Sequence, residues 1–219
     1  MNMLYTLILT ILALSVTSVT AQEAVAPDRL LVAQQRKVAF FGFEEAANFP
    51  TPLPSPFFRV LTSVTSRPGF PPFGSVSVDE SVAFSGDWSL AFDVDGASIA
   101  VAVPTARIPI YPQSEYEVRV RVRTAGLARA GASLVVRLHD LDGREIPGTK
   151  RESVPLRTNG EWTMLSVRPP TDIQSAADLT FELHLKQDER PDLSGKVWFD
   201  EIEVWQLPRM SLTARPISG

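Results

Sequence analysis

Cysteine is absent from this 219-residue sequence. Its absence excludes disulfide bonds, thiol catalysis, thiolate metal sites and a lipid-modified cysteine. An exported domain without disulfides depends on its hydrophobic core, and a bound metal ion is one further source of stability. This composition fits a bacterial envelope or secreted protein better than a small animal ectodomain.

A large excess of one charge is also missing, because the formal net charge is only −4. The whole chain therefore gives no case for binding nucleic acid or an anionic membrane. The chain lacks a Gly-x-Ser-x-Gly elbow, a His-Glu-x-x-His pair and a phosphate-binding glycine loop. Paired acids can hydrolyse glycosides, but the spacing of Asp200, Glu201 and Glu203 follows from strand alternation. The sequence predicts a protein that is not an enzyme.

Long hydrophobic runs are limited to Leu4–Val19, which is followed by small residues up to Ala21. This pattern predicts a secretory signal peptide, residues 1–21, although no Lys or Arg precedes the run. The alternative is an uncleaved membrane anchor, but the run is shorter than the roughly 20 residues that a spanning helix needs. We expect a secreted, periplasmic or cell-envelope protein without a membrane span after cleavage.

Helical periodicity is missing from the rest of the chain, where apolar residues alternate instead. Tyr116–Arg123 is the clearest example, since Val118, Val120 and Val122 point to one side and charged residues to the other. Seven to ten such strands at regular spacing predict an all-β, antiparallel two-sheet sandwich. We expect a leader over 22–36, the sandwich over 37–206 and a C-terminal tail over 207–219.

The predicted sandwich begins with one strand and a long loop. The first strand is expected over Lys37–Glu45. The following segment, residues 46–75, is rich in proline and phenylalanine and has no regular pattern. A loop of this length is often functional. The alternative is that its phenylalanines cap one open end of the sandwich.

Five short segments support a more specific prediction of fold. They are, in order, Phe84–Phe92, Tyr111–Tyr116, Asp140–Gly143, Gly160–Trp162 and Gly195–Ile202. Together they resemble the galactose-binding-like carbohydrate-binding modules, the group that contains families four, nine and twenty-two. The resemblance covers Lys37 to Trp205 and implies a jelly-roll sandwich that binds a polysaccharide or other glycan without catalysis.

The resemblance also implies a structural calcium ion. In many modules of this fold, Ca²⁺ ties the first strand to the last, and Glu44 after Phe43 and Asp200 after Phe199 match the two carboxylates. Calcium takes about six to eight oxygen ligands, and backbone carbonyls near the Ser-Gly turn would supply the others. The alternative is that both acids are solvated turn residues.

Aromatic rings that stack on sugar rings are the next candidates for a binding site. We expect ligand contacts from Trp88, Trp198 and Tyr111, with Trp162 less suitable because this position is usually in the core of related modules. Trp205 is equally suited to capping the core. Each of these rings has a structural alternative in core packing.

Basic side chains alternate along three predicted strands and suggest the charge of the ligand. One strand presents Arg119, Arg121 and Arg123 outward. The other two present Arg137 and His139, and Thr180, Glu182, His184 and Lys186. If these strands are neighbours, they form a basic strip suited to carboxylated or sulfated sugars. The alternative is a solvated face on which Glu117 and Glu182 form cross-strand pairs.

Two functions remain open at this point. The first is an exported, calcium-stabilised carbohydrate-binding module with a polysaccharide ligand that is acidic rather than neutral. The second is a structural or protein-interaction β-sandwich of the cell envelope that has the fold but no sugar site, because a fold does not determine a function.

Overall fold

Two antiparallel β-sheets pack face to face in this protein. The computed structural model describes residues 35–45, 53–62, 69–111 and 114–207. All of these residues belong to one unit, Ala33–Gly219. The predicted signal peptide, nearly all of the leader and nearly all of the tail lie outside the described residues.

The described residues form eleven strands and no α-helix. The strands are β1 (Arg36–Phe41), β2 (Phe58–Arg59), β3 (Ser75–Asp79), β4 (Ser89–Asp93), β5 (Ile99–Ala102), β6 (Glu115–Ala125), β7 (Gly131–His139), β8 (Arg151–Glu152), β9 (Thr163–Val167), β10 (Asp178–Lys186) and β11 (Lys196–Leu207). In this part of the chain, accordingly, no helix has the length and apolar character needed to cross a membrane.

One sheet has six strands and the other has five. The six-stranded sheet runs β3-β4-β11-β6-β9, and β1 pairs with the second half of β11, beyond the end of β4. The five-stranded sheet runs β2-β5-β10-β7-β8. Every pair of neighbouring strands is antiparallel, as the short alternating strands predict.

The core lies between the sheets and takes alternate residues from each. Val118, Val120 and Val122 of β6 are fully buried in one sheet, and Phe181 and Leu183 of β10 are fully buried in the other. Each such side chain contributes about 1.5–3 kcal/mol through its removal from water. The predicted two-sheet sandwich and its inward-facing residues are confirmed.

The ends of several elements differ from the sequence prediction. β1 ends at Phe41 rather than Glu45, because Gly42 is followed by Phe43 with φ of +62°, which breaks the extended backbone. The described part of segment 46–75 includes β2, which pairs with β5. β2 and β8 have only two residues each, too few for an alternating pattern.

Candidate functional site

A groove of about 410 Å³ lies on the outer face of the five-stranded sheet. Its lining includes Phe58, Ala102, Thr105, Arg137, Thr180 and Glu182. In the strand register Phe58 lies opposite Ala102, which lies opposite Glu182. The small side chain of Ala102 leaves the open space between the phenyl ring and the polar residues.

Arg137 is held in this groove by two carboxylates. Its Nη1 forms an ion pair with Glu182, and its Nε lies 3.3 Å from an oxygen of Glu145. The second oxygen of Glu182 lies 2.6 Å from Nε2 of His184. Burial raises the pKa of Glu182, but the bond from His184 and the charge of Arg137 outweigh burial and lower the pKa below its ordinary value. The positive charge of Arg137 is therefore neutralised by carboxylates within the groove.

His139 and Thr180 form a second polar pair. Nδ1 of His139 lies 3.3 Å from the carbonyl oxygen of Gly143, and Nε2 lies 2.8 Å from the Thr180 hydroxyl. A carbonyl oxygen only accepts, so in the neutral ring Nδ1 is the protonated nitrogen. The Thr180 hydroxyl therefore donates to Nε2, and its lone pairs point elsewhere.

These contacts fix the groove before any ligand enters. A pocket that combines an apolar ring with a few oriented polar groups can bind and orient a small polar molecule. The ring is Phe58, which is 46% exposed. Segment 46–75 was expected to be either functional or a cap, but nothing in its sequence singled out Phe58.

The structure does not place the basic side chains on one strip. Arg119, Arg121 and Arg123 lie on the outer face of the six-stranded sheet, whereas Arg137 and His139 belong to the five-stranded sheet. β6 and β10 are not neighbours, because β6 pairs with β11 and β9. Because these strands are not neighbours, their basic side chains do not form one strip.

Of the cross-strand pairs expected for Glu117 and Glu182 on a solvated face, only that of Glu182 is present among the described residues. Glu182 pairs with Arg137 across neighbouring strands. Glu117 instead pairs with Arg119 of its own strand and with Arg168. Lys186 pairs with Glu152, and burial of Glu152 is outweighed by hydrogen bonds from Lys186 and Ser133, which lower its pKa.

The five aromatic candidates, Trp205 included, lie outside the groove. Trp88 is half-buried and packs against the core. Trp198 faces outward but is only 8% exposed, since the Arg123 and Lys196 cations lie within 5.5 and 5.7 Å of its ring. Trp162 packs edge-on to Phe84 at 5.8 Å. Tyr111 is 65% exposed, near β1.

Glu44 and Asp200 both contact the turn that joins β3 to β4. The Glu44 carboxylate accepts N–H bonds from Asp87 and Trp88, at 3.0 and 3.2 Å. The Asp200 carboxylate accepts from Phe84 and Ser85, at 2.8 and 3.1 Å, and from the next residue along its own strand. Both acids therefore lie at the Ser-Gly turn. They accept hydrogen bonds from its backbone N–H groups, whereas the resemblance implied backbone carbonyls beside them.

The fit of a calcium ion here depends on the state of Asp200. Its side chain is fully buried, and no cationic side chain of the described residues forms an ion pair with it. Burial raises its pKa, despite the three N–H donors. A cation would offset the cost of this buried charge. Glu44 and Asp200 would supply two of its oxygen ligands, and no cluster of three metal-binding side chains occurs among the described residues.

Known structures with a similar fold include carbohydrate-binding modules. A structure described as the basis for promiscuous specificity of β-sandwich carbohydrate-binding modules matches 75% of this chain and 60% of its own, with 15% identity and a TM-score of 0.52. The CBM22-1 xylan-binding domain of Paenibacillus barcinonensis Xyn10C matches 80% of this chain and 96% of its own, with 13% identity and a TM-score of 0.48.

A third match is part of a longer enzyme. An arabinose-bound α-L-arabinofuranosidase matches 69% of this chain but only 23% of its own, with 14% identity and a TM-score of 0.48. No protein-family model and no curated protein sequence matches the chain. The chain thus shares the sandwich fold of carbohydrate-binding modules, as its sequence motifs predicted.

Proposed function

We propose that this protein is a non-catalytic carbohydrate-binding module that holds a polysaccharide in the groove of the five-stranded sheet. The observation that supports this most directly is the groove itself, where the exposed ring of Phe58 faces an oriented set of polar groups. A sugar ring offers an apolar face to an aromatic side chain and hydroxyls to fixed donors and acceptors. The groove supplies both.

The charges in the groove favour binding without catalysis. A glycosidase needs a carboxylic acid whose pKa is raised so that it can donate a proton. The pKa of Glu182 is instead lowered by His184 and Arg137, which oppose the effect of burial. Its carboxylate is engaged with both of these residues. Polysaccharide should therefore be released from the protein unchanged.

Export and calcium belong to the same proposal. The apolar run before Ala21 supports secretion or delivery to the cell envelope. The buried carboxylate of Asp200, without a cationic partner among the described residues, supports a structural Ca²⁺ ion held with Glu44. The ion would join the first and last strands to the turn between β3 and β4.

Truncation of one phenylalanine tests the groove. Phe58→Ala removes the exposed ring, and we expect it to weaken binding about tenfold or more, since a buried Phe side chain is worth about 1.5–3 kcal/mol. Phe73→Ala is the matched control, because Phe73 is similarly exposed, at 43%, but does not line the groove. Calorimetric titration with xylan, glucan and mannan oligosaccharides measures both variants.

Two outcomes would count against this proposal. Equal binding by Phe58→Ala and the unaltered protein would place the sugar elsewhere. Failure of the unaltered protein to bind any member of a broad glycan array, with calcium present, would favour the structural or protein-interaction alternative. A reducing-sugar assay on the same polysaccharides tests for catalysis.

A further inference from the structure

Two arginines on the outer face of the six-stranded sheet have no acidic partner among the described residues. Arg119 of β6 donates to Glu117 through Nε and Nη2, at 2.9 and 2.5 Å. Arg121 and Arg123, next along the same face, form no ion pair or hydrogen bond in this part of the structure. We call Arg121 and Arg123 the guanidinium pair.

Each member of the pair instead lies beside an aromatic ring. Cζ of Arg121 is 4.4 Å from the centre of the Phe84 ring, and Cζ of Arg123 is 5.5 Å from that of Trp198. Both Nε atoms are buried without a hydrogen-bond partner. Their terminal Nη atoms form no hydrogen bond with the described residues, so they remain able to donate to a ligand.

The acids nearest to this face are already engaged. Glu203 pairs with Lys37 and accepts from the Trp205 indole. Asp79 accepts from Trp198 at 2.9 Å and lies 3.5 Å from Lys196. Asp200 lies opposite Arg121 in the register, but its oxygens accept N–H groups of the β3–β4 turn. None of these three carboxylates is left to neutralise the pair.

Two exposed apolar side chains lie beside the pair. Phe84 and Met164 are 39% and 41% exposed, and Met164 lies opposite Arg121 on β9. The two arginines are two residues apart on one strand, which places them about 7 Å apart along the sheet. An extended polymer with repeated charges matches this spacing better than a compact ligand does.

We propose that the guanidinium pair is a second binding surface, which takes an acidic polysaccharide with carboxylate or sulfate groups. Arginine forks bind such groups through two parallel hydrogen bonds. The exposed ring of Phe84 beside the fork suits the apolar face of the sugar that bears the charge. A stable protein partner would cover about 800 Å² on each side, whereas the exposed apolar part of this surface consists of Phe84 and Met164.

Binding of polygalacturonate and dextran sulfate to the full-length protein tests this surface. We expect binding at low salt that weakens as salt rises, because exposed charges are screened beyond about 8 Å at physiological ionic strength. Arg121→Gln combined with Arg123→Gln should weaken it about tenfold or more, since two charge-assisted contacts are lost. The matched control is Arg144→Gln with Arg151→Gln, which changes the net charge by the same amount. Both residues are exposed, and they lie in or next to β8 of the five-stranded sheet.

Other variants keep the test decisive if the Gln pair fails to fold, which thermal melting would show. Arg121→Lys with Arg123→Lys preserves charge but removes the planar fork, and several-fold weaker binding is expected. Phe58→Ala should leave polygalacturonate binding unchanged, so failure of the groove and failure of this surface are distinguishable. The proposal is overturned by equal losses in the Gln pair and its control, by loss in Phe58→Ala, by no binding of either polyanion, or by equal affinity for polyglutamate.

Discussion

Asp79 shows how one carboxylate orders the outer face of the six-stranded sheet. It accepts from the Trp198 indole at 2.9 Å and from the Ser81 backbone at 2.8 Å, and its side chain is 12% exposed. Burial raises its pKa, but the bonds from Ser81 and Trp198 and the charge of Lys196 lower it to about 2. Each of these contacts favours the ionised form.

The lowered pKa of Asp79 predicts a pH-dependent contribution to stability. The carboxylate stabilises the folded state by up to about 2 kcal/mol above the unfolded pKa of about 3.9, and this contribution is lost as pH falls through about 2. Asp79→Asn should therefore lower the free energy of unfolding at pH 7 and differ little from the unaltered protein near pH 2. Urea unfolding at several pH values measures this difference.

The exposed Asp87 provides the control for this measurement. Asp87→Asn should change the free energy of unfolding little at any pH. A destabilisation by Asp79→Asn that is as large at pH 2 as at pH 7 would show that packing, rather than charge, is the role of Asp79.

At the scale of elements, β6 is the strand that the sequence described best. Its alternation predicted both the buried valines and the outward arginines, and the structure has this arrangement. β6 lies between β11 and β9, and its inward valines pack in the core between the two sheets. Short strands were harder to predict, because β2 and β8 are defined by pairing with β5 and β7 rather than by any pattern of their own.

The central position of β6 predicts a severe effect from one buried charge. Val120→Asp places a carboxylate without a partner at a fully buried site, which costs several kcal/mol (roughly 2–7 even for a neutral polar group). We expect loss of cooperative folding, measured by circular dichroism during thermal melting. Val154→Asp makes the same change at a valine that is 83% exposed and should melt normally. Similar melting of both variants would contradict the burial of β6.

For the whole molecule, the turn between β3 and β4 joins the two ends of the described chain. Glu44 follows β1, and Asp200 lies in β11, yet both bind this turn. Gly86 makes the close approach possible, because its φ is +64° and a Cβ there would lie 2.4 Å from the Glu44 carboxylate. This junction connects distant parts of the chain through hydrogen bonds, without a disulfide.

Calcium is predicted to stabilise the molecule through this junction. At free calcium about a hundred times Kd, the free energy of unfolding should rise by about 2.7 kcal/mol. Glu44→Gln and Asp200→Ala should lose this response, measured as the change in Tm after chelation and re-addition of calcium. Glu45→Gln should retain it, because Glu45 is exposed and makes no bond to the turn. An unchanged melting curve on chelation of the unaltered protein would remove calcium from the proposal.

The alternation in the sequence sets which side chains face inward, since inside and outside alternate with a period of two along each strand. This local rule was enough for the two-sheet fold, the core of β6 and β10 and the outward direction of the arginines. The placement of Glu44 and Asp200 near the Ser-Gly turn came from the resemblance in fold, not from alternation.

Which outward faces are shared depends on how the strands pair in the folded protein. Alternation is the same in both sheets, so it contains no information on the pairing of β6 with β11 and of β10 with β7. Pairing depends on contacts between residues far apart in the chain, such as Arg121 and Asp200. For that reason the sequence left open whether Arg121 and Arg137 share a face, and the structure places them on different sheets. The groove beside Phe58 likewise depends on the pairing of β2 with β5.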